Sequence, residues 1–298
     1  MKITITGSLG NIGKPLTKEL VKNGHSVTVI SSKAERQKEI KALGAMAAIG
    51  SLEDVDFLTE AFTGSDAVYS MVPPNNYFDH NLDLLAYYRR LGLHYAQAVQ
   101  QSGVKHLVNL SSIGAHLSKG NGILLGAHDV EHILDKLPSE IAITHIRPTS
   151  FYYNLFGYAE MIKSEGVIAA NYGAEDIIPW VSPIDIATAV EEELLTTPIG
   201  RKVRYVASEE LTGNETARIL GEAIGMPDLK WQIITDEQTK NGLVAAGMNP
   251  TIAKGLVEMY SGFHNGLLPE DYYRNKPILG KVKMEGFAKE FAQVYNQK

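Results

Sequence analysis

The sequence predicts an α/β protein: a doubly wound parallel sheet with a smaller, mostly helical C-terminal lobe. Three observations carry this expectation. Short β-branched runs alternate with helical periodicity through the first half of the chain. Those runs are apolar at successive positions, as in strands covered on both faces. The first of them ends in a glycine-rich turn that opens a helix.

Strands are expected at Ile3–Thr6, Ser26–Ile30, Met46–Ile49, Ala67–Met71, His106–Leu110 and Ile141–Ile146. Helical patterns lie between them, near 11–23, 33–43, 53–62, 77–102 and 128–137. After Arg147-Pro148 the rhythm loosens, with helices near 156–164, 183–195, 212–224 and 249–261 and strands at Arg204–Val206 and Lys230–Ile234. Residues 1–150 therefore read as a dinucleotide-binding unit, and 151–298 as a smaller substrate lobe with segments returning to the sheet. Composition sets limits on function. The absence of cysteine removes disulfides, thiol nucleophiles and iron–sulfur clusters. A net charge of -6 argues against a nucleic-acid surface. No apolar run approaches the ~20 residues of a membrane helix. Structured patterning from Lys2 onward leaves no signal peptide, so a soluble, cytoplasmic chain is expected.

The turn Gly7-Ser8-Leu9-Gly10-Asn11-Ile12-Gly13 carries the first functional inference. Glycines there allow a tight turn and let the backbone approach a pyrophosphate, which the N-terminus of the next helix attracts. That helix is well marked: Ile12, Leu16, Leu20 and Val21 form an apolar stripe, Pro15 sits in the first turn and Gly24 follows the end. A Rossmann-type dinucleotide site is the expectation.

The spacing is G-x-x-G-x-x-G, and it resembles that of the extended and atypical short-chain dehydrogenase/reductases. Further segments resemble their NmrA-like branch. These are Asn23-Gly24-His25-Ser26-Val27, Gly64-Ser65-Asp66-Ala67-Val68, Asn109-Leu110-Ser111-Ser112, the run Arg147-Pro148-Thr149-Ser150-Phe151-Tyr152-Tyr153-Asn154, and Trp180-Val181-Ser182-Pro183-Ile184-Asp185-Ile186-Ala187. The resemblance covers roughly residues 1–225. It implies an NAD(P)-binding reductase, with Ser111, Pro148 and Phe151 beside the cofactor.

An acid about 20 residues beyond the glycines would select NAD through the ribose. Here the chain has Ser31, Ser32 and Lys33, with Arg36 one turn on, which suits a 2′-phosphate and predicts NADP(H) in preference to NAD(H). Met71-Val72-Pro73, followed by Pro74, should wall the adenosine side. The acid that the family carries after strand three is replaced by Ser51, which puts its adenine contact in doubt.

The Tyr-x-x-x-Lys pair of short-chain reductases is missing from the helix after strand five, which reads Ala127-His128-Asp129-Val130-Glu131-His132. Tyr272–Lys276, in the C-terminal region, is the one such spacing in the sequence. His128 and Ser112 are the catalytic candidates, with the alternative that both histidines decorate a solvated face. No strong base is expected beside Ser111 or Ser112. His-x-x-Glu-His also spells a zinc-protease signature, but it falls in a slot the fold already fills, so no metal is expected. Lys119-Gly120-Asn121-Gly122 reads as a flexible loop that could close over the cofactor or, equally, be simply a loop. Tyr152, Tyr153 and Trp180 are the candidates for holding a flat, conjugated substrate. The expected activity is hydride transfer from NADPH to a small electrophile such as a quinone or related carbonyl. The rival is a non-catalytic NADP(H) sensor that presents its surface to a protein partner.

Overall fold

The computed structural model describes residues 1–297. The first half alternates as expected: β1 (Lys2–Ile5), α1 (Gly13–Lys22), β2 (Ser26–Ser31), α2 (Gln37–Ala42), β3 (Met46–Ile49), α3 (Val55–Phe62), β4 (Ala67–Met71), α4 (Leu84–Ser102), β5 (His106–Leu110), α5 (Leu125–Leu134) and β6 (Ala142–Pro148). The second half adds β7 (Ser150–Phe151), α6 (Ala159–Glu165), β8 (Val167–Ala170), β9 (Ile177–Val181), α7 (Pro183–Leu195), β10 (Arg201–Val206), β11 (Glu209–Thr212), α8 (Gly213–Ile224) and β12 (Lys230–Ile233). It ends with α9 (Asp236–Ala245), α10 (Pro250–His264), α11 (Glu270–Arg274) and α12 (Met284–Tyr295).

The main sheet runs β3-β2-β1-β4-β5-β6-β10, and every pair in it is parallel. Its two faces divide the strand residues by alternation. Ile3, Ile5, Val27, Val29 and Tyr69 pack under α1 and α7, while Ile30, Val68, Leu107 and Ile143 pack under α3, α4 and α5. Strand order reverses between β1 and β4, so a crevice opens at the carboxyl ends of these strands. Helices α4 and α5 touch closely because glycines face bulky side chains: a Cβ on Gly126 would lie 2.6 Å from the Tyr88 ring, and one on Gly92 3.2 Å from Val130.

One expectation is corrected. The helix proposed from residue 77 starts only at Leu84, where the Asp83 side chain accepts from the Ala86 N–H. Before it, Asn75, Asn76 and Asp79 bond nearby backbone N–H groups and hold the chain in turns. The second lobe is mostly helical, as expected, and it also holds two small sheets, β11-β9-β7 and β12-β8. Of these short strands only β12 stands out from its surroundings by pattern. One segment of the lobe returns to the main sheet as β10, and α7 packs on α1. Asp185 of α7 accepts from Ser208 Oγ and from the Lys281 and Val282 N–H groups, which explains the acid in that motif as an anchor for the C-terminal segment.

Candidate functional site

The glycine turn lies between β1 and α1, at the crevice. Gly7 has φ +82° and Ser8 φ +54°, so the chain reverses through the left-handed region at two successive residues. Of the later glycines, Gly13 is forced by space and Gly10 is only tight. A Cβ on Gly13 would sit 2.1 Å from the Ser8 carbonyl oxygen, and one on Gly10 3.3 Å from that of Gly7. Met71 closes over the turn, 2.8 Å from the Cβ position of Gly7. Helix α1 has no side-chain cap and no acid in its first turn. Among the described residues the N–H groups of Asn11, Ile12 and Gly13 find no backbone acceptor. Free donors at a positive helix end, over a cradle that a Cβ would fill, fit a pyrophosphate.

Ser31 is buried, and its hydroxyl oxygen accepts from Ser8 Oγ at 3.0 Å and from the Lys33 N–H at 3.2 Å. It thus ties the end of β2 to the glycine turn. Ser32 and Lys33 are exposed. Arg36 bonds Glu39 at 2.7 Å, and Lys14, which sequence reasoning passed over, bonds the same carboxylate at 2.9 Å. These two cations, Lys14 first, hold the Glu39 carboxyl below its ordinary range. Three cations therefore stand near one edge of the crevice, where a phosphate would sit. On the far side of the crevice, Thr6 Oγ accepts from the Met71 N–H, Tyr95 donates to the Met71 carbonyl, and Tyr87 donates to that of Pro73. The Met71-Val72-Pro73 segment is held rigid.

At the end of β5 lies a charge network that the sequence did not announce. Arg147 of β6 binds Glu131 of α5 in a bidentate pair, Nε at 2.9 Å and Nη2 at 2.6 Å, with both residues buried. Burial opposes the Arg147 charge, yet the Glu131 carboxylate holds the guanidinium above its ordinary value. Ser111 donates to Glu131 Oε1, and Arg147 Nη1 donates to Tyr205 and to Asp271 of α11, both at 3.2 Å. A carboxylate therefore does stand beside Ser111, which corrects the expectation that no base would. Its oxygens are already committed to Arg147 and Ser111. The available signal was Glu131 itself, next to Val130 and between Ala127 and Leu134 on a buried stripe, where a charge requires a partner.

His128 Nδ1 bonds the Ala115 carbonyl at 2.8 Å, and His132 Nδ1 bonds that of His128 at 2.9 Å. The His128 N–H is thus spent on a backbone carbonyl, and in the neutral ring Nε2 can only accept. Among the described residues no group of three or more His, Asp or Glu converges as a metal site. Ser112 is half-buried beside Ser111. Tyr272 and Lys276 both bond Glu210 of β11. His116, also overlooked, has both ring nitrogens buried without a partner, and burial lowers its pKa. The loop at 119–122 is no flap: Asn121 is buried and bonds the Gly114 and Leu117 carbonyls, and a Cβ on Gly122 would overlap the Gly255 carbonyl of α10.

The aromatic candidates separate. Tyr152 and Trp180 are each 1% exposed, with their polar atoms bonded to the Val282 carbonyl and to Thr216 Oγ. They form the core of the second lobe rather than a substrate wall, which corrects that expectation. Pro148 ends β6, and its carbonyl accepts from the Ile113 N–H. Phe151 packs on the same cluster as Met71, and Tyr153 stacks on Phe151 with centroids 4.9 Å apart.

A family model for the NmrA-like family matches residues 1–270. The chain belongs to the NmrA-like family. An NAD(P)H azoreductase of Xenophilus azovorans is 28% identical over 272 residues, covering 91% of this chain and 88% of that protein. A (4-alkanoyl-5-oxo-2,5-dihydrofuran-3-yl)methyl phosphate reductase of Streptomyces griseus is 25% identical, covering 86% and 85%. Among solved structures, an NADPH-dependent quinone oxidoreductase of Escherichia coli complexed with NADPH superposes with TM-score 0.80 at 19% identity, covering 99% of this chain and all of that one. A triphenylmethane reductase of Citrobacter sp. gives TM-score 0.79 at 20% identity, covering 98% and 100%. These likenesses establish the Rossmann-type fold with its second lobe. No helix among the described residues is long and apolar enough to cross a membrane.

Proposed function

We propose that this NmrA-like protein is an NADPH-dependent reductase that passes hydride to a flat, conjugated small molecule such as a quinone or related carbonyl. The glycine turn carries the reading: three glycines that a Cβ would fill, beneath unpartnered N–H groups at the start of α1. The named relatives that reduce azo, quinone and dye substrates support the acceptor class.

Residues 7–13 would hold the pyrophosphate, and Lys14, Lys33 and Arg36, with Ser32, would surround a 2′-phosphate. When bound, the cofactor would supply the hydride from nicotinamide C4. The chain would supply position. Met71, Val72 and Pro73 wall one side, and Phe151 and Tyr153 offer ring faces on the other. Ser111 and Ser112 lie at the nicotinamide end, where Ser111, its proton given to Glu131, can accept from a ribose hydroxyl. Alcohol oxidation is disfavoured, because Arg147 occupies the carboxylate that would have to take the proton. His128 belongs to the frame of α5, and His128→Ala is expected to leave turnover within a few-fold of the parent.

Steady-state NADPH consumption with quinones, azo compounds and secondary alcohols tests this. Quinone turnover without alcohol oxidation is expected, together with tighter binding of NADPH than NADH by calorimetry. The double variant Lys33→Ala, Arg36→Ala should erase that difference. Cofactor binding with no turnover on any acceptor would sink the reductase reading.

A further inference from the structure

Helix α4 holds two loops of the crevice at once. After β1 and β2 the chain turns to the face where α1 and α2 pack, and after β3 and β4 it turns to the opposite face, under α3 and α4. Segments 50–54 and 71–74 therefore border the crevice on the α4 side. Side chains tie each of them to that helix. Tyr95 donates to the Met71 carbonyl at 2.6 Å, and Tyr87 to the Pro73 carbonyl at 3.3 Å. His94 Nδ1 donates to the Leu52 carbonyl at 3.3 Å. Arg90 holds the Glu53 carboxylate with both arms of its fork, Nε at 2.6 Å and Nη2 at 2.9 Å. The same guanidinium lies 5.8 Å over the Tyr87 ring, so the tie to one loop rests on the tie to the other.

Bonds inside segment 50–54 shape it only locally. Asp54 caps α3 by accepting from the Phe57 N–H, and Ser51 Oγ accepts from the Glu53 N–H. Neither sets its distance from the loop after β4. Glu53 does, because its carboxylate reaches across to α4. Leu52 and Val72 are the apolar side chains of the two segments, and both are half-buried on one hydrophobic cluster. The cations at the end of β2 mark the ribose that would carry the 2′-phosphate, and the base on that ribose extends past them along the same edge. Leu52 and Val72 border that edge with faces that suit a flat base.

Resting on the cofactor reading above, we propose that Arg90 is a positioning residue for the adenosine half of NADPH. Through Glu53 it holds segment 50–54 at a set distance from segment 71–74, so the slot for the base exists before the cofactor arrives. Binding then spends nothing on ordering that loop. Direct contact between Arg90 and the cofactor is opposed by geometry, since Nε and Nη2 are both engaged by Glu53. The pair does little for the fold as a whole. Its side chains are 47% and 44% exposed, and exposed pairs are weak in stability. What it sets is the spacing of two loops.

The test uses the full chain with Arg90→Ala, Glu53→Gln and the double variant. Calorimetric titration with NADPH and with 2′,5′-ADP, which carries the adenosine half and no nicotinamide, gives the readout. The double variant decides most, because it removes one charge of each sign and leaves the net charge alone. It should weaken both ligands by the same factor, roughly threefold to fivefold, the upper range for one exposed pair. Both single variants should weaken them too, and urea midpoints should stay near the parent's. The proposal is overturned if the double variant keeps the parent's affinity, whether or not its urea midpoint falls. It is equally overturned if Glu53→Gln tightens binding while Arg90→Ala weakens it, since Arg90 would then be a direct cation for the cofactor. A parent that binds both ligands but reduces no acceptor drops the reductase reading, and the affinities of the variants still decide the role of Arg90.

Discussion

The glycine turn and the Arg147 network lie on the same edge of one sheet and are built in opposite ways. The turn uses backbone alone: seven consecutive residues, donors that are peptide N–H groups, and cations kept outside at the surface. The network uses side chains contributed by Ser111, Glu131, Arg147, Tyr205 and Asp271, and it buries the charges of Glu131 and Arg147. The turn is intolerant of added volume, whereas the network is intolerant of lost charge. In the proposed function the turn serves a ligand, while the network ties α5 and α11 to β6 and bonds Ser111 through Glu131.

The strongest way to break this comparison is Arg147→Ala. It leaves Glu131 buried without its partner, and removing one member of such a pair costs about 3–5 kcal/mol. Against a total stability of about 5–15 kcal/mol that is a large fraction. Urea denaturation should show it as a lower midpoint. The comparison is sharpened by Arg147→Met combined with Glu131→Leu, which should recover much of the loss because the one carboxylate left without its partner, Asp271, reaches solvent. If the single and double variants are equally unstable, packing rather than charge governs this region.

Next in size is Gly13→Ala. The added Cβ would meet the Ser8 carbonyl oxygen at 2.1 Å, so the turn must move, at a cost of about 1–3 kcal/mol typical of overpacking. NADPH affinity should fall along with stability, since the displaced atoms belong to the cradle. Gly24→Ala is the control. It lies past the other end of α1, with φ +81° and open space around it, so it should cost about 1–2 kcal/mol of stability and leave NADPH binding alone. Calorimetry on the two variants separates the cradle from the helix end.

The same contrast governs how much could be read from the sequence. The main sheet, its order of elements and the glycine turn follow from local rules: apolar runs, helix stripes and glycines at fixed offsets. The partnership of Arg147 with Glu131 and Asp271 does not, because hydrogen bonds formed across 16 and 124 residues leave no periodic trace. Tyr152 and Trp180 show the converse limit. Composition can nominate an aromatic residue for a pocket, but Tyr152 and its half-buried neighbour Tyr153 differ in sequence only by one position, and backbone direction alone sends one into the core. The helical pattern near 77–102 extends over Tyr77, but the side-chain bonds of Asn75, Asn76 and Asp79 keep that stretch in turns until Leu84.

Glu39→Gln probes the surface side of the turn and should act more weakly. The carboxylate now holds Lys14 and Arg36, all three side chains reaching solvent. Freed cations should bind NADPH a few-fold more tightly, NADH unchanged, and added salt should shrink the gain because exposed charges are screened. A gain that persists at high salt would indicate that Glu39 shapes the turn rather than merely occupying its cations.

The smallest expected effect vanishes at neutral pH and grows only below it. His106 opens β5 and His116 lies just past its end, and burial lowers the pKa of both. Glu193 partly offsets this at His106. At His116, Asp271, Glu270 and Glu131 pull the value up, while Arg147 pushes it down. The folded chain therefore binds fewer protons at these sites than the unfolded chain, whose histidines titrate near pH ~6.5. Unfolding then takes up protons as the pH falls through that value, so stability declines on the acid side and is flat above it. The depressed carboxyls, Glu39 among them, contribute only at lower pH, where unfolded Asp and Glu begin to titrate near ~4. Urea midpoints compared at about pH 5.5 and about pH 7.5 isolate the histidine window. His106→Leu should flatten that slope in part and leave the network's Arg147 dependence intact. A parent chain equally stable at both pH values would mean that neither ring is held neutral by the fold.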